Sequence, residues 1–178
     1  LDRSRSSIAN FEKLKTYTDE MKQLENTLLP GDADIGSYVG RFFGSLQDVS
    51  ANPGDLAPRT VALEEGKSLT GAFRNLSVQL TNMQKNGQAR AKDTCTAINT
   101  IVTQLVDVNN RLLSSSLGSS PNSTLDLRDR LLEDLSKLTD ISVTYQKRKD
   151  ATVTIGKTGA GPKILTGQVS TKIGIQEN

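Results

Sequence analysis

Apolar residues recur every three or four positions over most of this chain, and at every second position only near its end. Ile8, Phe11, Leu14, Tyr17, Met21, Leu24 and Leu28 form the first stripe, which predicts a helix over Ser4–Leu29. "PGD" at Pro30–Asp32 stops it. Asp32 or Asp34 can cap a second helix, whose stripe is Ile35, Val39, Phe42, Leu46 and Val49. "SANPGD" at Ser50–Asp55 forces a turn, because a residue before proline is pushed out of the helical region. Asp55 then caps a third helix, with Pro58 in the first turn, where a missing N–H costs nothing.

That third helix is expected to be very long. Leu69, Phe73, Leu76, Leu80 and Met83 step by four and three, and so do Ala91, Cys95, Ile98, Val102, Leu105, Asn109 and Leu112. One extra residue lies between the two series, which locally unwinds a left-handed supercoil. Asn86-Gly87 is the weak point, and matching stripes on both sides favour a hinge or kink over an end. A continuous helix from Leu56 to Leu113 would be on the order of 85 Å long.

"SSSLGSSPNST" at Ser114–Thr124 reads as a loop. In "TLDLRDRLLEDLSKL", Leu127, Leu131, Leu135 and Leu138 predict the buried stripe of a fourth helix, and Ser123 with Asp126 resembles a capping box. Asp126, Arg130 and Asp134, and likewise Asp129, Glu133 and Lys137, stand four apart on an outer charged face. Asp129→Ala is therefore expected to be nearly neutral for folding, and Leu131→Ala costly. Ile141, Val143 and Tyr145 then alternate as a strand, "KRKDA" turns it and "TVTIG" returns. "ILTG" and "VSTKIGI" read as further short strands. So small a β-segment buries little core alone.

Composition agrees with long helices packed on aliphatic seams. Hydrophobic residues make up 35% and aromatics 4%, with no Trp. Net charge is 22 − 20 = +2, too small a field to recruit nucleic acid or acidic lipid. The chain has no His, the usual proton-transfer residue and commonest metal ligand. The single Cys95 excludes an internal disulfide and a Cys-rich zinc site, and it reads as a small buried hydrophobe on its stripe. No apolar run approaches the ~20 residues of a membrane span.

Three stretches imitate sites. "GKTGAGPK" at Gly156–Lys163 has the glycines and lysine of a phosphate loop, but no helix pattern follows it, so a hairpin loop is expected. Lys147–Lys149 reads as a solvated turn. "NST" at Asn122 matches a glycosylation acceptor, a pattern frequent by chance. No catalytic, cofactor-binding or metal-binding residue is assigned, and no cofactor is expected. The expected fold is mainly α: an elongated antiparallel helical bundle with one very long helix, followed by a small, incomplete β-module. Residues 1–139 would be the helical core domain and 140–178 the start of a β-rich outer domain, with further strands beyond Asn178.

Two stretches carry a specific likeness. "LQDVSANPGDLAPR" at Leu46–Arg59 closes one helix and opens a long one, and some 66 residues later comes "LDLRDRLLEDLSKLTDISV". In that order and spacing the chain resembles the flagellar hook-associated protein 1 family, the hook–filament junction proteins of bacteria. Arg128-Asp129, Leu131-Leu132 and Leu135-Ser136 match the family's motif, and "SVT" followed by "TVTIG" matches its entry into the β-domain. The likeness covers roughly Phe11 to Gly156.

The resemblance implies a structural, non-enzymatic protein, exported by the flagellar secretion system to the extracellular flagellum. It implies the flagellar hook protein and the second hook–filament junction protein as partners of the full-length parent, with self-association along the axis. The charged fourth helix would be a joint delivering the chain into the outer domain. By the same resemblance, the family's N-terminal Asn- and Ala-rich heptads and C-terminal heptad helix, which carry polymerisation, would lie outside this stretch. The isolated fragment is thus expected to be a monomer that binds neither nucleic acid nor membrane, with a first helix that lacks part of its packing. The alternative is a helical-bundle module of a secreted effector or a chemoreceptor-like signalling rod. A small enzyme is disfavoured by the missing His and the absence of paired carboxylates.

Overall fold

The computed structural model describes residues 2–28, 34–114, 122–147 and 149–176. Four helices precede four strands: α1 (Asp2–Leu28), α2 (Ile35–Ala51), α3 (Leu56–Ser114), α4 (Asn122–Leu138), β1 (Ile141–Tyr145), β2 (Ala151–Ile155), β3 (Lys163–Thr166) and β4 (Val169–Ser170). The protein is mainly α, with one helix of 59 residues and a small antiparallel sheet. Two compact units divide it: Leu1–Thr16 with Gln88–Asn178, and Tyr17–Gly87.

The caps expected at Asp34 and Asp55 are present. The Asp34 carboxylate accepts from the Ser37 amide at 2.5 Å, and that of Asp55 from the Ala57 amide at 3.0 Å. Asn52 closes α2 by donating to Asp48, and Asp55 in turn donates to Asn52. Asp32 and the Pro30–Asp32 stop lie outside the described residues, as does most of the serine-rich loop. α4 begins at Asn122, so Ser123, expected as its cap, is already inside the first turn.

α3 passes through Asn86-Gly87 without opening, and the division between the two units falls just after Gly87. Good helix formers flank the glycine on both sides, and they offset its ~1 kcal/mol helix penalty. Threonines 60, 70, 81, 94, 96, 100 and 103 return their hydroxyls to the carbonyl four residues back. That local bond accommodates polar β-branched residues in a helix.

In the unit Tyr17–Gly87, α2 lies on the first half of α3. The Phe42 ring meets Gly66 so closely that a Cβ there would stand 3.3 Å from it. Ala62 and Ser45 are buried, and the Arg41 guanidinium reaches Glu65 at 3.3 Å. Thr27 of α1 donates to the Met83 sulfur of α3 at 3.5 Å. Packing is incomplete: on the predicted stripes Leu46, Phe73 and Leu80 are exposed.

The other unit holds the main core. Ile98, Val102, Leu105, Val108 and Leu112 of α3 and Leu131, Leu132 and Leu135 of α4 enclose Val143, Ala151, Val153, Ile164 and Leu165. The sheet order is β1-β2-β3-β4, all antiparallel. Register pairs Val143 with Val153 and Val153 with Leu165, which puts these apolar residues on one face. The small β-segment thus borrows its core from two helices.

The predicted α4 stripe needs correction. Leu127 is exposed, and the buried side consists of Arg128, Leu131, Leu132, Leu135 and Ser136. Counting leucines at four-residue steps missed two polar residues that find partners in the fold. Ser136 donates to Glu133 O at 2.7 Å, and Arg128 is satisfied across the chain. Beyond β4, "TKIGI" is not a strand, contrary to the alternating pattern.

Candidate joint and assembly surfaces

A buried cation holds α4 against the far end of the first hairpin. The Arg128 side chain is only 10% exposed. Its Nε and one terminal nitrogen donate to Asp129 Oδ1 at 2.9 and 2.7 Å, and the other terminal nitrogen donates to Lys149 O at 2.7 Å. The guanidinium carbon lies 4.4 Å from the centre of the Tyr145 ring, a stacking distance for a cation–π contact. Arg5 of α1, also buried, donates to the Tyr145 hydroxyl at 3.1 Å. One arginine therefore ties α4 to the end of β1 and to the turn that follows it. Lys149 sits at φ 65° in the turn, donates its amide to Gln146 O, and so aims its own carbonyl at Arg128.

Asp129 was expected on the outer charged face. It is half-exposed, but its carboxylate is the counter-charge of Arg128. Elsewhere on that face the expected four-residue pair Glu133–Lys137 forms, and Asp134 pairs with Lys137 at a three-residue step. Lys137 bridges Asp134 at 2.8 Å and Glu133 at 3.7 Å. The Asp134 hydrogen bond, more than any other contact, raises the Lys137 pKa above its usual value.

A second tie joins α1 to the sheet. Lys157 donates to Asn10 Oδ1 at 2.6 Å and lies 3.9 Å from Asp140, whose Oδ1 is buried without a hydrogen bond. Gly156 donates its amide to Asp140 O at 2.7 Å. Residues 156–162 form the β2–β3 loop. Gly156 and Gly159 have positive φ, and a Cβ on Gly161 would collide with the Ile155 carbonyl. β3 follows directly at Lys163, so the glycines serve a turn, not a helix-capped phosphate loop. Asn99 and Asn109 of α3 bond to the backbone of the β-segment.

Among the described residues no group of three or more Cys, Asp or Glu side chains is gathered as a metal site. No described helix is long and apolar enough to cross a membrane. Cys95 is a half-buried free thiol.

Several large apolar side chains of the helices face outward. On α1, Phe11, Leu14 and Tyr17 are each more than 60% exposed, with Met21 and Leu28 beyond them. In the unit Tyr17–Gly87, Phe43 and Leu63 are similarly open. An open groove of about 490 Å³ there is lined by Phe42, Ala62, Gly66 and Gly71, with Lys67 and Arg74 among its polar lining.

The described geometry has close parallels. Residues 21–178 match the family model of the flagellar hook-associated protein FlgK helical domain. The chain is 31% identical over 134 residues to flagellar hook-associated protein 1 of Bacillus subtilis, covering 74% of this chain and 26% of that protein. It is 26% identical over 136 residues to its counterpart in Salmonella typhimurium, covering 75% and 25%. A solved structure, the flagellar hook junction protein FlgK from Burkholderia pseudomallei, superposes over 97% of this chain and 30% of its own, with TM-score 0.87 and 25% identity. The chain thus spans about a quarter of the length of the curated relatives it matches. These matches set aside the effector and signalling-rod alternatives. The chain belongs to the flagellar hook-associated protein FlgK family, a structural and non-enzymatic family of the flagellum, and carries its helical domain.

Proposed function

We propose that this chain is the helical portion of a hook–filament junction subunit, exported by the flagellar secretion system and assembled outside the cell. The observation that carries this reading is the continuous match of family model and fold, from α1 through the sheet. The parent would contact the hook protein on one side and the second junction protein on the other, and would associate with its own copies along the axis. Residues 1–139 would form the subunit's helical core, and 140–178 would open the outer domain.

The exposed apolar residues of α1, α2 and α3 are the natural contact surface. Each contact is small, but contacts repeated around an axis act as a multivalent set. An isolated chain lacks that repetition and is expected to be a monomer without affinity for nucleotide, metal, nucleic acid or membrane.

Deleting the codons for Leu46–Leu138 from the parent gene should leave hooks without filaments. Normal filaments would overturn the proposal. A parent carrying Phe43→Glu and Leu63→Glu addresses contact separately from folding. It should retain the unfolding midpoint of the wild-type protein yet assemble filaments poorly.

A further inference from the structure

Two asparagines of α3 face the β-segment with their amides aligned like a backbone. Asn109 is fully buried. Its Nδ2 donates to Ala151 O at 2.8 Å and to Gly167 O at 2.7 Å, and its Oδ1 accepts from the Ala151 amide at 2.9 Å. In the β2–β3 register, Val153 faces Leu165, so Ala151 would next face Gly167. There the chain has already left β3, with Gly167 at φ 57°. The Asn109 amide fills the gap and satisfies both groups of Ala151 that β3 no longer reaches. Asn99 repeats the pattern, its Nδ2 donating to Ile173 O at 2.9 Å and its Oδ1 accepting from the Ile173 amide at 3.0 Å. Ile173 itself packs against the main core.

We infer that Asn109 and Asn99 form a two-point latch, in which α3 supplies the hydrogen-bonding edge of a missing strand. Asn109 fixes where the sheet docks on α3. Asn99, ten residues and about 15 Å away along the helix, fixes the course of the chain after β4. A side-chain amide donates and accepts in a single plane as a peptide does. The latch sets the direction in which the chain leaves the sheet. That consequence rests on the outer-domain reading above, whereas the latch itself is tested on this chain alone.

Amide hydrogen exchange of the wild-type chain, Asn99→Ala and Asn109→Gln distinguishes the two points. Asn99→Ala should speed exchange at Ile173 at least about tenfold, the order of change expected when a hydrogen bond is lost. Ala151 should keep its protection in that variant. Asn109→Gln displaces the amide by one methylene and should expose Ala151 instead. Should that variant fail to fold, Asn99→Ala alone decides between the outcomes. Unchanged protection at Ile173, or equal loss at Ile173 and Ala151, would overturn the latch.

Discussion

Asp129→Ala should destabilise this protein measurably, although the residue is half-exposed on a helix crowded with charge. The perturbation removes the carboxylate that accepts two hydrogen bonds from Arg128, whose side chain is 10% exposed against 34% for Asp129. Breaking a fully buried ion pair by deleting one partner costs about 3–5 kcal/mol, because the remaining charge is stranded. Here the acid is open to water and the guanidinium keeps Lys149 O and the Tyr145 ring. Solvent screening therefore reduces the expected cost to roughly 1–2 kcal/mol.

Arg128→Met retains much of the stem and deletes the head. It leaves Lys149 O without its donor and removes the cation–π contact, worth together about 2–3 kcal/mol. A double-mutant cycle from urea midpoints measures the coupling directly. The double variant should be less destabilised than the sum of the singles, by roughly 1 kcal/mol. If Asp129→Ala shifted the midpoint no more than Asp126→Ala, or the cycle closed additively, the buried-cation account of the joint would be refuted.

Leu132→Ala should cost about 2–5 kcal/mol and Leu127→Ala less than 1, since only Leu132 is fully buried; comparable urea midpoints would place α4 wrongly. Gly161→Ala should lower the melting temperature, because its Cβ must displace the Ile155 carbonyl while Ile155 N–H still donates to Pro162 O. Asn109→Asp tests the buried amide by pH. Its carboxylate would face the carbonyls of Ala151 and Gly167, and burial among acceptors raises its pKa above the unfolded value of about 3.9. Its stability relative to wild type should be greatest below that value and fall as pH rises toward the raised folded pKa, by up to about 1.4 kcal/mol per pH unit. A penalty independent of pH would contradict the hydrogen-bond assignment.

The helices were legible because helical contacts are local. Stripe spacing, the acids at Asp34 and Asp55, and the proline turn between α2 and α3 all act within a few residues. The hairpin from Ile141 to Ile155 was legible for the same reason. What escaped was chemistry between distant residues. Arg128 looked like one more charge on a charged helix, and nothing local announces a bond to a carbonyl 21 residues on. Asn109 was correctly placed on the inner stripe, but its purpose depends on Ala151 and Gly167. The signal available was the exception itself, a polar residue at an apolar position with the stripe continuing past it. On α1 the periodicity gave the helix but not its inner face: Phe11, Leu14 and Tyr17 of the stripe stay exposed while Arg5 and Ala9, off the stripe, are buried, since periodicity shows which face is apolar without saying what covers it.

An apolar seam alone would be a poor joint. Aliphatic faces attract without direction, so a small sheet could settle on α3 in several positions at similar free energy. Buried polar groups remove that freedom, because each donor or acceptor left unpaired costs about 1–3 kcal/mol. Sliding the sheet by one residue would strand the three bonds of Asn109, the two of Asn99 and the carbonyl bond of Arg128 together. Those penalties exceed the 1–3 kcal/mol that burying one more aliphatic side chain could return. Leucine and valine thus hold the sheet to the helices, while two asparagines and one arginine decide where it is held.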